Sequence, residues 1–153
     1  MKSKFSFATL VGVAGLLTAT GLAYAALSGD DAIKARQADM KANVAGMAVM
    51  VPMIKGEKPY DAAAVAAALD AMEKAGADWQ NFWPVDSKTS TTLKTRAAEA
   101  IWTDPKGFEA AGNTYYAAFT ALKATKDEAG FKAAFGDLGK GCGGCHQNYR
   151  TPE

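Results

Sequence analysis

The chain has little of several residue types that often carry function. Its 153 residues include a single histidine, two cysteines and five prolines, and its 17 basic side chains are nearly balanced by 16 acidic ones. Two cysteines exclude a disulfide-rich scaffold, but a chain of this length can bury a core without disulfides. Balanced charge gives no basic face of the kind that binds nucleic acid. The length corresponds to one domain.

The lone histidine and both cysteines lie together in one short run, Cys142-Gly143-Gly144-Cys145-His146. C-x-x-C-H is the attachment motif of c-type haem. The two thiols add across the haem vinyl groups, and the adjacent imidazole reaches the iron from one face. We therefore predict one covalent haem c, attached through Cys142 and Cys145, with His146 as the proximal iron ligand.

Two other interpretations of the run are weaker. A zinc site needs four ligands, whereas these three side chains lie too close together to span a tetrahedron. A thioredoxin-like site needs a βαβ context, and no strand pattern is found near the motif. Because the chain has one histidine, bis-histidine ligation is excluded. The other side of the iron carries a methionine, another weaker ligand, or nothing.

The N-terminus has the pattern of an export signal. Lys2 and Lys4 precede an apolar stretch over residues 5–22, and Ala23-Tyr24-Ala25 matches a cleavage site. Glycines and threonines interrupt the stretch, which is also marginal in length for a membrane anchor. We predict a cleaved signal peptide over 1–25 and a single domain over 26–153 in the periplasm, with no membrane attachment after cleavage. The mature chain then has 15 basic and 16 acidic side chains.

Four amphipathic segments follow, so the sequence predicts an all-α, antiparallel four-helix bundle. We expect helix starts near Ser28 or Asp30, at Asp61, at Asp104-Pro105 and near 125–127. The first helix should end near Pro52 or Gly56 and the second at Pro84. A loop over 85–95 and a short helical piece over 96–102 should separate the second and third. The predicted helical stripe of the first helix is Ile33, Arg36, Met40, Val44, Met47 and Val51.

Three segments resemble one known family. They are Arg36-Gln37-Ala38-Asp39-Met40, Ala100-Ile101-Trp102 before a helix start, and the stretch from Phe135 through the C-x-x-C-H motif to Arg150. An exported, alanine-rich chain with this motif near its C-terminus resembles the class II c-type cytochromes, the cytochrome c′ superfamily. The resemblance covers essentially the whole mature chain and implies a four-helix bundle with a covalently bound haem.

The resemblance also implies roles for two residues of the first helix. Arg36 matches the arginine that lies beside a haem propionate in the family, and Met40 matches the residue that faces the iron on the distal side. Some family members leave the iron five-coordinate, and others place a methionine sulphur on it. Met40 followed by Lys41-Ala42-Asn43 is similar to the low-spin His/Met branch, although some five-coordinate members also carry an unligated methionine there. Met47, on the same predicted stripe, is the main competing ligand.

The expected function is therefore electron transport rather than enzymatic turnover. Ligation by His146 and Met40 suits a carrier of single electrons, because thioether sulphur favours ferrous iron. The alternative is a five-coordinate protein that binds nitric oxide or carbon monoxide. A peroxidase is disfavoured because no second histidine can act as a distal acid–base group. Expected partners are unidentified redox proteins, and the resemblance implies a homodimer through the first two helices.

Overall fold

The long helices of the chain form the expected bundle. The computed structural model describes residues 27–152, within which five α-helices and no strand occur. The helices are α1 (Gly29–Ile54), α2 (Ala62–Ala75), α3 (Ala100–Thr103), α4 (Pro105–Lys123) and α5 (Glu128–Tyr149). The bundle consists of α1, α2, α4 and α5, and α3 is a single turn between its two halves. The predicted signal peptide over 1–25 lies outside the described residues.

Aspartates cap three of the four long helices, as the sequence predicts. The Asp61 carboxylate accepts hydrogen bonds from the backbone N–H groups of Ala63 and Ala64, both at 3.0 Å. Asp104 caps α4 through the N–H of Gly107, and Asp127 caps α5 through the N–H of Gly130. These side chains satisfy N–H groups that have no partner within the helix, which explains the observed starts.

Two predicted boundaries are wrong. The second helix ends at Ala75, with Gly76 as its C-cap, instead of reaching Pro84. Two 3₁₀ turns, Trp79–Asn81 and Val85–Ser87, follow it. Glycine is a poor helix former, so Gly76 favours the end of α2 at Ala75. The predicted helical piece over 96–102 starts only at Ala100. Its first residues instead run beside the end of α5, where the N–H of Ala98 donates to the Tyr149 carbonyl.

The interior divides into two clusters. The main core joins all four long helices and consists of Met50, Met53, Val65, Leu69, Met72, Phe119, Leu122, Phe131 and Leu138. The aromatic cluster lies around Ile101, Phe108 and Tyr149, with Trp79, Trp83 and Trp102 packed against them. Between the elements, α1 packs closely along α2 and α4 packs closely along α5, so the bundle is built from two helical hairpins.

The predicted stripe of α1 is only partly buried, with Met47 packed against the main core. Ile33 and Arg36 are buried as expected, but Met40 is 41% exposed and Val44 is 69% exposed. The buried face continues instead through Asp39, Gly46, Met50 and Met53. Asp39 can be buried because the amide of Asn43 donates to its carboxylate. Gly46 permits the close approach of the Met72 side chain, which a Cβ there would meet.

Candidate haem site

The C-x-x-C-H motif lies in the last two turns of α5. Cys145 and His146 follow Cys142 by three and four residues, so the helix places them both on the side of Cys142. All three side chains are half-buried, and both thiols are free. Two attachment thiols and an imidazole thus share one helical surface, which is the arrangement that covalent haem attachment requires.

The motif lies where the two interior clusters meet. Cys142 packs against the main core, and Cys145 packs against the aromatic cluster. Gly143 and Gly144, between them, are exposed, and a Cβ at either position would meet no atom within 4 Å. The surface of the helix is therefore open beside the thiols, as a flat macrocycle lying against the backbone would require.

The three motif side chains favour their neutral forms. Burial raises the pKa of both thiols, and the neighbouring Cys142 contributes to the shift at Cys145. Burial also lowers the pKa of His146, to which the positive charges of Arg150 and Arg96 add. A neutral imidazole is the form that binds a metal ion. Arg150, which the sequence places one turn beyond the histidine, thus acts on it electrostatically.

Arg36 is a buried cation without an acidic partner. It is only 7% exposed, and within residues 27–152 no carboxylate forms an ion pair with it. Its guanidinium donates to the Phe82 carbonyl at 2.9 Å, to the Ser87 hydroxyl at 2.7 Å and to the Ser87 carbonyl at 2.8 Å. Burial without a counter-charge lowers its pKa. Such a cation favours a bound anion beside it.

A hydrogen-bond donor next to Arg36 has no acceptor among the described residues. The guanidinium carbon lies 4.9 Å from the centre of the Trp83 ring. The indole Nε1 of Trp83 is buried, and no acceptor among the described residues pairs with it. Trp102 differs, because its indole donates to the Trp83 carbonyl at 3.0 Å. A buried cation and an unpaired buried N–H side by side fit an anionic group, and haem carries two carboxylates.

Among the methionines that the structure describes, Met40 is the one that takes no part in the core. Met50, Met53 and Met72 belong to the main core, and Met47 packs against it. Met40 lies outside both clusters and is 41% exposed, one turn beyond Arg36 on α1. Its thioether is therefore not used to fill the interior, which is the usual role of methionine in helical bundles.

Sequence reasoning missed a buried polar chain beside Met40. The Asn43 amide donates to both the carbonyl and the carboxylate of Asp39 at 2.9 Å, and its oxygen accepts from the Tyr115 hydroxyl at 2.7 Å. Burial raises the pKa of Asp39 to about 6, against the lowering effect of the Asn43 hydrogen bond. Two polar residues four apart on an otherwise apolar face were the available signal, but Tyr115 is remote in sequence.

Comparison with known proteins extends over nearly the whole described chain. The family model described as Cytochrome C' matches residues 31–150. The cytochrome c-556 of Rhodopseudomonas palustris is 35% identical over 150 residues, covering 92% of this chain and 95% of that protein. A cytochrome c' of Alcaligenes xylosoxydans xylosoxydans is 31% identical over 125 residues, covering 79% of this chain and 94% of that protein.

Solved structures of cytochromes c' are also similar to this chain. The cytochrome c' of Rubrivivax gelatinosus is similar with a TM-score of 0.73 and 28% identity, covering 80% of this chain and 97% of that one. A nitric oxide complex of a cytochrome c prime variant from Alcaligenes xylosoxidans is similar with a TM-score of 0.70 and 30% identity. That match covers 82% of this chain and 98% of the other. The similarity thus includes the fold and most of the sequence.

Proposed function

The chain belongs to the cytochrome c′ family, and we propose that it carries single electrons through an iron held between His146 and Met40. It is a class II c-type cytochrome, and its cofactor is a covalently bound haem c. When bound, this group supplies a one-electron iron centre. The protein itself supplies the attachment, the two axial ligands and the electrostatic environment.

The residues of α5 hold the cofactor in this proposal. Cys142 and Cys145 form the two thioether links, and His146 binds the iron as the proximal ligand. The lowered pKa of His146 supports this role, because it keeps the imidazole neutral. Arg36 lies beside a propionate, where its buried and otherwise uncompensated charge would be neutralised. No acid–base group of an enzyme is needed, and we propose electron transport rather than catalysis.

The exposure of Met40 is the single observation that carries the proposed distal ligand. The other described methionines belong to the main core or pack against it, whereas Met40 does neither and is partly exposed. Its position one turn beyond Arg36 on α1 supports this role, because an arginine at the propionate edge would leave the next turn near the porphyrin centre. Thioether ligation stabilises ferrous iron and raises the reduction potential, which suits an electron carrier.

The ferric absorption spectrum tests this assignment. We expect a low-spin spectrum for the wild type and a high-spin spectrum for Met40→Ala, because the variant lacks the distal sulphur. Met47→Ala is the matched control, since it removes a methionine of the same helix that packs against the main core. It should remain low-spin. A high-spin wild type that resembles Met40→Ala would refute Met40 ligation.

A five-coordinate gas-binding protein is the second candidate. It is favoured by similar structures that are nitric oxide complexes of cytochrome c prime from Alcaligenes xylosoxidans. In that case Met40 would shield the distal face without binding the iron. Mixing the ferrous protein with carbon monoxide separates the two candidates. Slow or negligible binding is expected of the electron carrier, whereas rapid binding would favour the gas-binding protein.

We also propose that residues 1–25 are removed on export and that residues 26–153 act in the periplasm as one domain. Within residues 27–152, no helix has the length and apolar character needed to cross a bilayer. The positively charged start and the Ala23-Tyr24-Ala25 site support export. Mass spectrometry of a periplasmic extract should find a mature chain beginning at Ala26 with one haem added. An unprocessed chain in the cytoplasm would contradict this.

The partners that we propose are redox proteins, not yet identified, and a second copy of the chain that docks through α1 and α2. The exposed side chain of Val49, in a concavity formed by α1, α2 and the connection between them, supports a contact on this face. Light scattering should then show a dimer for the wild type and a monomer for Val49→Asp. A monomeric wild type would exclude the homodimer.

A further inference from the structure

One buried donor of the aromatic cluster has no acceptor within residues 27–152. The indole Nε1 of Trp83 is inaccessible to solvent, and the described residues provide no partner for it. Buried N–H groups in native proteins are almost always paired. The acceptor of this N–H is therefore expected to be an atom outside the part of the polypeptide that the structure describes.

The electrostatic surroundings indicate that this acceptor is an anion. Arg36 lies over the Trp83 ring, with its guanidinium carbon 4.9 Å from the ring centre. The groups that accept hydrogen bonds from Arg36 are neutral, namely carbonyls of Phe82 and Ser87 and hydroxyls of Ser87 and Thr95. A buried positive charge without a counter-ion stabilises an anion placed beside it. A hydrogen bond from the indole to that anion would be charge-assisted.

The packing brings this donor and one attachment cysteine to the same cluster. Trp83 and Cys145 pack against the same cluster, formed by Ile101, Phe108 and Tyr149. The ring of Trp83 is fixed there by edge contacts with Phe108 and Trp79, at centroid distances of 4.8 and 5.5 Å. A haem tethered to Cys145 by its vinyl edge would extend along this cluster, and its two propionates, on the edge away from the thioether links, are its carboxylates.

We propose that the indole N–H of Trp83 donates a hydrogen bond to a haem propionate and thereby positions the cofactor together with Arg36. The inference rests on the proposed function, since it requires haem attached at Cys145. It does not require Met40 to bind the iron. Trp83 is thus a positioning residue for the cofactor, recognised by its unpaired donor and by the cation beside it.

Trp83→Phe tests the proposal, because it removes the N–H and keeps an aromatic ring in the cluster. Trp79→Phe is the matched control, since Trp79 belongs to the same cluster and undergoes the same change. The readout is the propionate bending mode in the resonance Raman spectrum of the holoprotein, which falls in frequency when a propionate loses a hydrogen bond. We expect this shift in Trp83→Phe and its absence in Trp79→Phe. Identical modes in wild type and Trp83→Phe would overturn the proposal.

A measurement on the wild type covers the case in which Trp83→Phe does not fold or mature. In the reduced holoprotein with labelled tryptophan, NMR should show a dipolar contact between the Trp83 indole proton and the methylene protons of a propionate. Lack of this contact would overturn the proposal. Failure of the proposed function would appear separately, as a high-spin ferric spectrum with the propionate contact intact. A colourless protein, without haem, would refute both the proposed function and the role of Trp83.

Discussion

At the scale of single residues, the hydrogen bonds among Asp39, Asn43 and Tyr115 fix α1 relative to α4. Asn43 uses its N–H group toward Asp39 and its oxygen toward the Tyr115 hydroxyl. The backbone of Tyr115 in turn lies against Gly141, the residue before the first haem-attachment thiol in our assignment. The turn of α1 that carries Met40 is therefore held to the helix that packs against the attachment motif.

Removing the Tyr115 hydroxyl should destabilise the protein. Tyr115→Phe leaves the partly buried Asn43 oxygen without its donor, so we expect the free energy of unfolding to fall by about 1–2 kcal/mol. Denaturant unfolding of the holoprotein measures this. The neighbouring Tyr116 is 62% exposed, and Tyr116→Phe should change stability by less than about 0.5 kcal/mol. Equal effects of the two substitutions would show that the buried hydrogen bond contributes nothing.

The sequence predicted some individual residues and could not predict others. The C-x-x-C-H spacing places Cys142, Cys145 and His146 on one helical face whatever the rest of the fold does. The partners of Arg36 could not be predicted, because Phe82 and Ser87 lie in a connection without any periodic pattern. For the same reason, nothing in the sequence indicated that the Trp83 indole would be buried and unpaired.

At the scale of helices, Gly141 lets the backbones of α4 and α5 approach each other closely. A Cβ on Gly141 would lie 3.0 Å from the Tyr115 Cα, whereas a Cβ on Gly136 would meet nothing within 4 Å. Gly141→Ala should therefore lower the free energy of unfolding by about 1–3 kcal/mol. Gly136→Ala, in the same helix, should raise it by about 0.5–1 kcal/mol, because alanine loses less conformational entropy. Chemical denaturation would refute this assignment if both changes stabilised the protein.

The caps of α4 and α5 should differ in importance. The Asp104 carboxylate accepts both from the Gly107 N–H and from the Tyr149 hydroxyl, at 3.1 and 2.9 Å. Asp127 caps α5 through a single N–H of Gly130. We expect Asp127→Ala to cost about 1 kcal/mol, the value of a typical cap, and Asp104→Ala to cost about 2 kcal/mol. Thermal unfolding of the two variants measures the difference, which would vanish if the Tyr149 contact were unimportant.

Helix starts were easier to predict from the sequence than helix ends or buried faces. Asp104 followed by Pro105 specifies a start through local chemistry alone, and α4 begins there. The end of α2 depends on where contacts with neighbouring elements stop, which Gly76 indicates only weakly. The buried face of α1 depends in part on a remote tyrosine that satisfies Asn43, so apolar spacing alone selected the exposed Val44 in error.

At the scale of the whole molecule, the bundle consists of two hairpins that join through the main core at one end. Under the proposed ligation, Met40 on α1 and His146 on α5 connect the hairpins at the other end through the iron. The first half of α1 would then owe part of its protection to the cofactor. The second half, which contains Met50 and Met53, is held by the main core.

Hydrogen exchange should reveal this division. In Met40→Ala holoprotein, we expect amide exchange to become faster over residues 29–44, with little change over residues 45–54, because only the first half loses its link to the iron. Met47→Ala should instead affect the second half, since Met47 packs against the main core. Uniform faster exchange along α1 in both variants would contradict a link through Met40.

The hydrogen bonds of Arg36 have an evolutionary consequence. Its guanidinium holds the backbone of Phe82 and Ser87 in the connection after α2. It also provides the positive charge that we propose to pair with a haem propionate. Lysine would retain the charge but lacks the planar fork needed to reach these acceptors together. Arg36 thus both holds the loop and supplies the charge near the cofactor. A substitution at this position would lose both functions, so arginine should persist even in homologues whose distal ligand has changed.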